Sequence, residues 1–82
     1  MELKDTVELM LSDDYKERLK AEYHQTKQRY QKLRQTLVKY EAGTLDFTPP
    51  YDIDILRQQK SCMSRTLYLL EIRAEAEGIT LE

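Results

Sequence analysis

The chain is poor in the residues that punctuate or cross-link a fold. One cysteine in 82 residues excludes an internal disulfide framework and a four-cysteine zinc site, and points to a reducing cytosol. One histidine leaves little for metal ligation or for a general base. No run approaches the ~18 apolar residues of a membrane span. The opening MELKDTVELML carries acids where a signal peptide would be basic. A soluble, unexported, cytoplasmic protein without a membrane partner is therefore expected. Eighty-two residues also make one small domain, which hides only ~60% of the surface of its unfolded chain. Alone it is marginal, and a second copy of itself is the most economical partner.

Two glycines and two prolines divide the chain. Gly43 closes one stretch, Pro49 and Pro50 lie in the loop after it, and Gly78 closes a second. Both stretches predict helix. Residues 13–42 start at Ser12 or Asp13 as N-cap, with Asp14 and Glu17 at the positive end of the helix dipole. Residues 52–77 start near Asp52, with Asp54 in the first turn. Leu3, Val7, Met10 and Leu11 recur at helical spacing and predict a short leader helix over 1–11. With a loop over 43–51, the expected fold is all-α, a single domain made of a leader and a long antiparallel helical hairpin. Cys62 is expected to be a small buried packing residue.

The first long helix carries one seam. Tyr23, Thr26, Tyr30, Leu33, Leu37 and Tyr40 follow the 3, 4, 3, 4, 3 spacing that keeps a stripe against a partner helix. The second carries two. Leu56, Lys60, Met63, Leu67, Leu70 and Ala74 can pack on the first helix. Ile55, Gln59, Cys62, Thr66, Leu69, Arg73 and Ala76 form another stripe, roughly 110° further round at 100° per residue. A hairpin covers one stripe, and an eleven-residue leader is too short for three heptads. A homo-oligomer built on the second stripe is therefore expected. Gln59, Thr66 and Arg73 interrupt that stripe. Either they form a polar layer that fixes register and copy number, or they line a ligand site between protomers.

Charge is unevenly placed. YHQTKQRYQKLRQTLVKY, residues 23 to 40, holds five Lys or Arg and no carboxylate in a chain of net charge -2. Antiparallel register places it against residues 53 to 70, where Arg57, Lys60 and Arg65 face only Asp54. The acids Asp13, Asp14, Glu17 and Glu22 gather at the other end with Glu71, Glu75 and Glu77. A basic middle that its hairpin partner leaves unneutralised predicts an anionic ligand. A polymeric nucleic acid usually meets a basic domain of pI above ~9, whereas the pI here is about 5.4. The bracketing acids favour a small, compact anion. Lys or Arg for phosphate and Tyr or Arg for stacking suit a phosphate-bearing ligand with aromatic bases. The alternative is a solvated face, or pairing with acids of another protomer.

Two stretches carry a resemblance. RLxxEYxxxxxRYxKL, here Arg18, Leu19, Glu22, Tyr23, Arg29, Tyr30, Lys32 and Leu33, precedes LxxQxxxMxxxxxxLExR, here Leu56, Gln59, Met63, Leu70, Glu71 and Arg73. Over residues 15 to 78 this pattern resembles the phage-encoded helical-hairpin anti-defence proteins, the anti-CBASS and anti-Thoeris sponges that sequester cyclic-nucleotide immune signals. Thr66 stands where that pattern has an aromatic three residues after the Met, which leaves the ligand's identity open. The resemblance implies a homo-oligomer, with a hexamer among the assemblies it allows. It also implies tight binding, without cleavage, of a cyclic oligonucleotide or a cyclic ADP-ribose-type ligand in the host cytoplasm.

Chemistry argues separately against an enzyme. His24 has no Ser or Cys at a nucleophile's local spacing, no glycine-rich phosphate loop occurs, and no His and carboxylate cluster suggests a metal. No cofactor is expected, and His24 is expected to be solvated on the outer face. The candidate ligand-binding residues are Gln59, Thr66 and Arg73 from the second helix, Lys27 and Arg34 beside the seam of the first, and Tyr15 or Arg18 near its start. Two other functions stay open: an oligomeric scaffold or host-protein-binding module that needs only the seams, and a nucleic-acid binder.

Overall fold

The computed structural model describes residues 2–81, and every described element is helical. A 3-10 turn, Leu3–Thr6, runs into α1 (Val7–Met10), followed by α2 (Tyr15–Ala42) and α3 (Ile53–Glu77). Asp14 caps α2, its side chain accepting from the Lys16 amide at 2.9 Å. Ser12, one of the expected caps, instead accepts from the Asp14 amide at 3.1 Å and sets up the turn before it. Asp52 caps α3 by accepting from the Asp54 amide at 2.9 Å.

Both long helices end the same way. Gly43 and Gly78 adopt left-handed φ values of 76° and 68°. The next amides then reach back, Thr44 N–H to the Lys39 carbonyl at 2.9 Å and Ile79 N–H to the Ala74 carbonyl at 2.8 Å. Each bond satisfies a carbonyl that the helix end would leave orphaned. At Gly78 the reversal also turns Ile79 and Leu81 onto the cluster of Leu19, Leu70, Ala74 and Tyr23. Ile79 and Leu81 thus close that end of the core.

α2 and α3 pack antiparallel. Tyr23 Oη donates to Glu71 at 3.4 Å near one end, and Arg57 binds Glu41 near the other. At 1.5 Å per residue α2 is ~42 Å long, and the longest dimension of the molecule is 43 Å. The hairpin therefore sets the shape. Leu19 and Leu37 of α2 meet Leu56, Leu67, Leu70 and Ala74 of α3, all buried. The seam opens toward the loop, where Tyr40 is exposed and Arg57 lies over its ring at 5.9 Å.

The leader docks on the far side of α2, and among the described residues it makes no contact with α3. Ala21, completely buried, lets the leader backbone approach. Gln25 donates to Thr6 Oγ1 at 2.9 Å and also reaches Met10, while buried Thr6 donates to the Leu3 carbonyl. The outer stripe of α3 is consequently bare, with Ile55 51%, Leu69 46% and the neighbouring Ile72 47% exposed. Cys62, expected to be buried, is exposed because it lies on this stripe and not on the seam.

Candidate anion-binding groove

Lys60 occupies a seam position, between Leu56 and Met63 in the stripe that faces α2, yet it is charged. It cannot sit in the apolar layer, so its stem lies half-buried along the seam and its ammonium emerges on one flank. There it lines a groove of about 650 Å³ with Arg34, Leu37, Val38, Glu41, Ala42, Arg57 and Ser61. That volume lies within the ordinary range for small-molecule sites, roughly 300–1,000 Å³. Leu37 supplies the buried apolar surface between the helices, Val38 and Ala42 lie on the exposed outer rim of α2, and the two walls belong to different helices. Among the described residues neither Arg34 nor Lys60 forms an ion pair. Two unpaired cations lining one groove repel, and an anion bound between them relieves that repulsion.

Arg57 differs from them. Its Nη1 donates to Asp54 at 2.8 Å and its Nη2 to Glu41. These hydrogen bonds, to Glu41 first and then Asp54, raise the pKa of the guanidinium above its ordinary value. The basic middle is therefore partly neutralised: Glu41 and Asp54 hold Arg57, and the other cations from Lys27 to Arg65 lack a carboxylate partner among the described residues. Glu41 belongs to α2 just beyond the acid-free stretch, so the linear pattern conceals that antiparallel register returns it to Arg57.

The expected site residues divide between two flanks. Lys27 and Arg34 lie on the groove side, roughly 60–80° from the Leu19 and Leu37 line at 100° per residue. Lys27 sits one heptad below Arg34, its Nζ 5.6 Å from the Tyr23 ring centroid. Gln59, Thr66 and Arg73 lie on the opposite flank of α3, roughly 60–100° from its seam, and all three are exposed. Tyr15 and Arg18 share that second flank, where Arg18 Nη1 donates to the Ser12 carbonyl at 2.8 Å. Arg73 makes no ion pair with Glu22 among the described residues. A pocket using both sets must lie between two copies of the chain. Within one chain the groove joins Arg34 to Lys60, Arg57, Ser61 and Glu41, none of which sequence reasoning selected. The available signal was Lys60, a lysine at a seam position.

His24 is not the solvated residue expected. It is half-buried, edge-on to Tyr23 with centroids 5.3 Å apart, and its Nε2 is buried without a hydrogen-bond partner. Among the described residues no helix is long and apolar enough to cross a membrane.

A family model described as Sequestin matches residues 13–76, from the turn before α2 to the last turn of α3. No curated protein matches the chain. No solved structure matches it either.

Proposed function

The chain belongs to the Sequestin family, and on that premise we propose that it is a non-enzymatic sponge for a cyclic nucleotide-type second messenger. The family name itself denotes sequestration. The observation that carries the ligand class is the seam lysine: Lys60 lines the same groove as Arg34, and among the described residues neither forms an ion pair with a carboxylate. Phosphate diesters suit the cations, and the faces of the bases suit Leu37, Val38 and Ala42. Held without cleavage, such a signal is withdrawn from its receptor. For a phage-encoded chain acting in the host cytoplasm, the consequence is that host anti-phage defence is blocked. The working form is a homo-oligomer, since the bare stripe of α3 needs a partner.

That same stripe favours a second reading, an oligomeric scaffold with no small ligand. Thermal shift separates the two. A ligand at 100 times its Kd stabilises the fold by ~2.7 kcal/mol. For a domain of this size such a gain raises Tm by on the order of 10 °C. A panel of cyclic dinucleotides, cyclic trinucleotides and cyclic ADP-ribose isomers is expected to contain at least one compound with that effect. No shift with any of them would support the scaffold. Binding to DNA or RNA that weakens steeply with salt would instead indicate a nucleic-acid protein.

A further inference from the structure

The outer stripe of α3 is close to palindromic. Ile55, Gln59, Cys62, Thr66, Leu69, Arg73 and Ala76 alternate apolar and polar outward from Thr66 in both directions, and every one of them is exposed. Reversed end for end about Thr66, the stripe meets itself like for like. Cys62 falls opposite Leu69, Gln59 opposite Arg73, and Ile55 opposite Ala76. The side-chain oxygen of Gln59 can then accept from the guanidinium of Arg73 in a second copy. The two Thr66 hydroxyls meet at the centre, where each can donate and accept.

Charge along α3 selects the same arrangement. Residues 53–65 carry Arg57, Lys60 and Arg65 against Asp54, whereas residues 66–77 carry Glu71, Glu75 and Glu77 against Arg73. A parallel pair would set each half on its like and Arg73 on its own copy, and an antiparallel pair sets the basic half on the acidic one. We propose that the partner covering the α3 stripe is a second copy of this chain, packed antiparallel across a two-fold axis beside Thr66, with Gln59, Thr66 and Arg73 as the polar layer that fixes the register. The inference rests on the homo-oligomer reading above and deepens it. Arg57, Lys60 and Ser61 lie roughly 110–150° round α3 from the stripe at 100° per residue. Both grooves therefore stay open on the outer sides of the pair.

Disulfide trapping of the full chain tests the orientation. In the antiparallel pair the two copies of Cys62 sit ~12 Å apart along the helices and the two copies of Leu69 ~9 Å apart, at 1.5 Å per residue, beyond the ~7 Å that a disulfide spans between Cα atoms. Leu69→Cys with Cys62 kept places two thiols opposite each other, and Thr66→Cys in a Cys62→Ser background places one beside the axis. After copper-catalysed oxidation, both variants should run mostly as covalent dimers in non-reducing denaturing gels. The parent, and Leu69→Cys in a Cys62→Ser background, should run mostly as single chains. A parent that crosslinks through Cys62 alone means a parallel pair and overturns the proposal. Single chains in both dimer-forming variants, with circular dichroism melts like the parent's, overturn it as well. Sedimentation of the parent separates the two failures: an oligomer without these crosslinks overturns the antiparallel pairing alone, and a monomer overturns the homo-oligomer with it.

Discussion

Leu69→Glu is expected to convert the assembled protein to monomers or unfolded chain. In a single hairpin Leu69 is 46% exposed, and a polar replacement at such a surface position usually changes stability by no more than about 0.5 kcal/mol. If instead a second copy covers the α3 stripe, the same substitution places an unpaired charge in an apolar seam, at a cost of about 3–5 kcal/mol. The two cases differ enough for sedimentation to decide. A parent protein that sediments as a well-folded monomer at micromolar concentration, or a Leu69→Glu variant that assembles as the parent does, contradicts the interface.

Arg34→Glu should have the opposite pattern, with ligand binding lost and the assembly kept. Arg34 is exposed on the flank of α2, outside the Leu19 to Leu37 contact line, so reversing its charge should disturb the fold little. It lines the same groove as Lys60, and an anion held between them would lose one cation and gain a carboxylate beside its phosphate. Truncating one partner of a hydrogen-bonded charge pair costs about 2–5 kcal/mol. Charge reversal is therefore expected to weaken cyclic-nucleotide binding at least ~100-fold by calorimetry. Lys60 is the poorer target for this test, since its stem packs in the seam and its loss would mix folding with binding. Parent-like binding by Arg34→Glu would make the groove solvated surface and direct attention to the other flank.

The hairpin is legible in the sequence because its signals are local and periodic. Heptad spacing selected Leu37, Leu56, Leu67, Leu70 and Ala74, all buried, and Gly43 and Gly78 marked the helix ends through a conformation that other residues rarely adopt. What escaped depends on which sides of two helices meet. The leader could dock on α3 or on the back of α2, and nothing in its own pattern distinguishes them. The deciding features are Ala21, small enough for close approach, and Gln25, placed to reach Thr6. The groove was hidden for a similar reason: Glu41, Arg57, Lys60 and Arg34 are scattered in sequence and converge only once register and flank are both known. Tyr15, Arg18, Gln59, Thr66 and Arg73 carry the right chemistry on the other flank, and become a site with Lys27 and Arg34 only across a protomer boundary.

The central claim, capture without conversion, is tested most directly by asking what returns from the complex. The protein in excess is mixed with cyclic di-GMP, cyclic di-AMP and cyclic GMP–AMP, separated from free nucleotide by ultrafiltration, then heated to unfold it and release what it held. A sponge depletes the filtrate of at least one cyclic dinucleotide, and chromatography after heating recovers that compound intact and in full. Recovery of linear dinucleotides or mononucleotides would make the protein an enzyme, and a filtrate that keeps all three compounds would contradict the sequestration of cyclic dinucleotides.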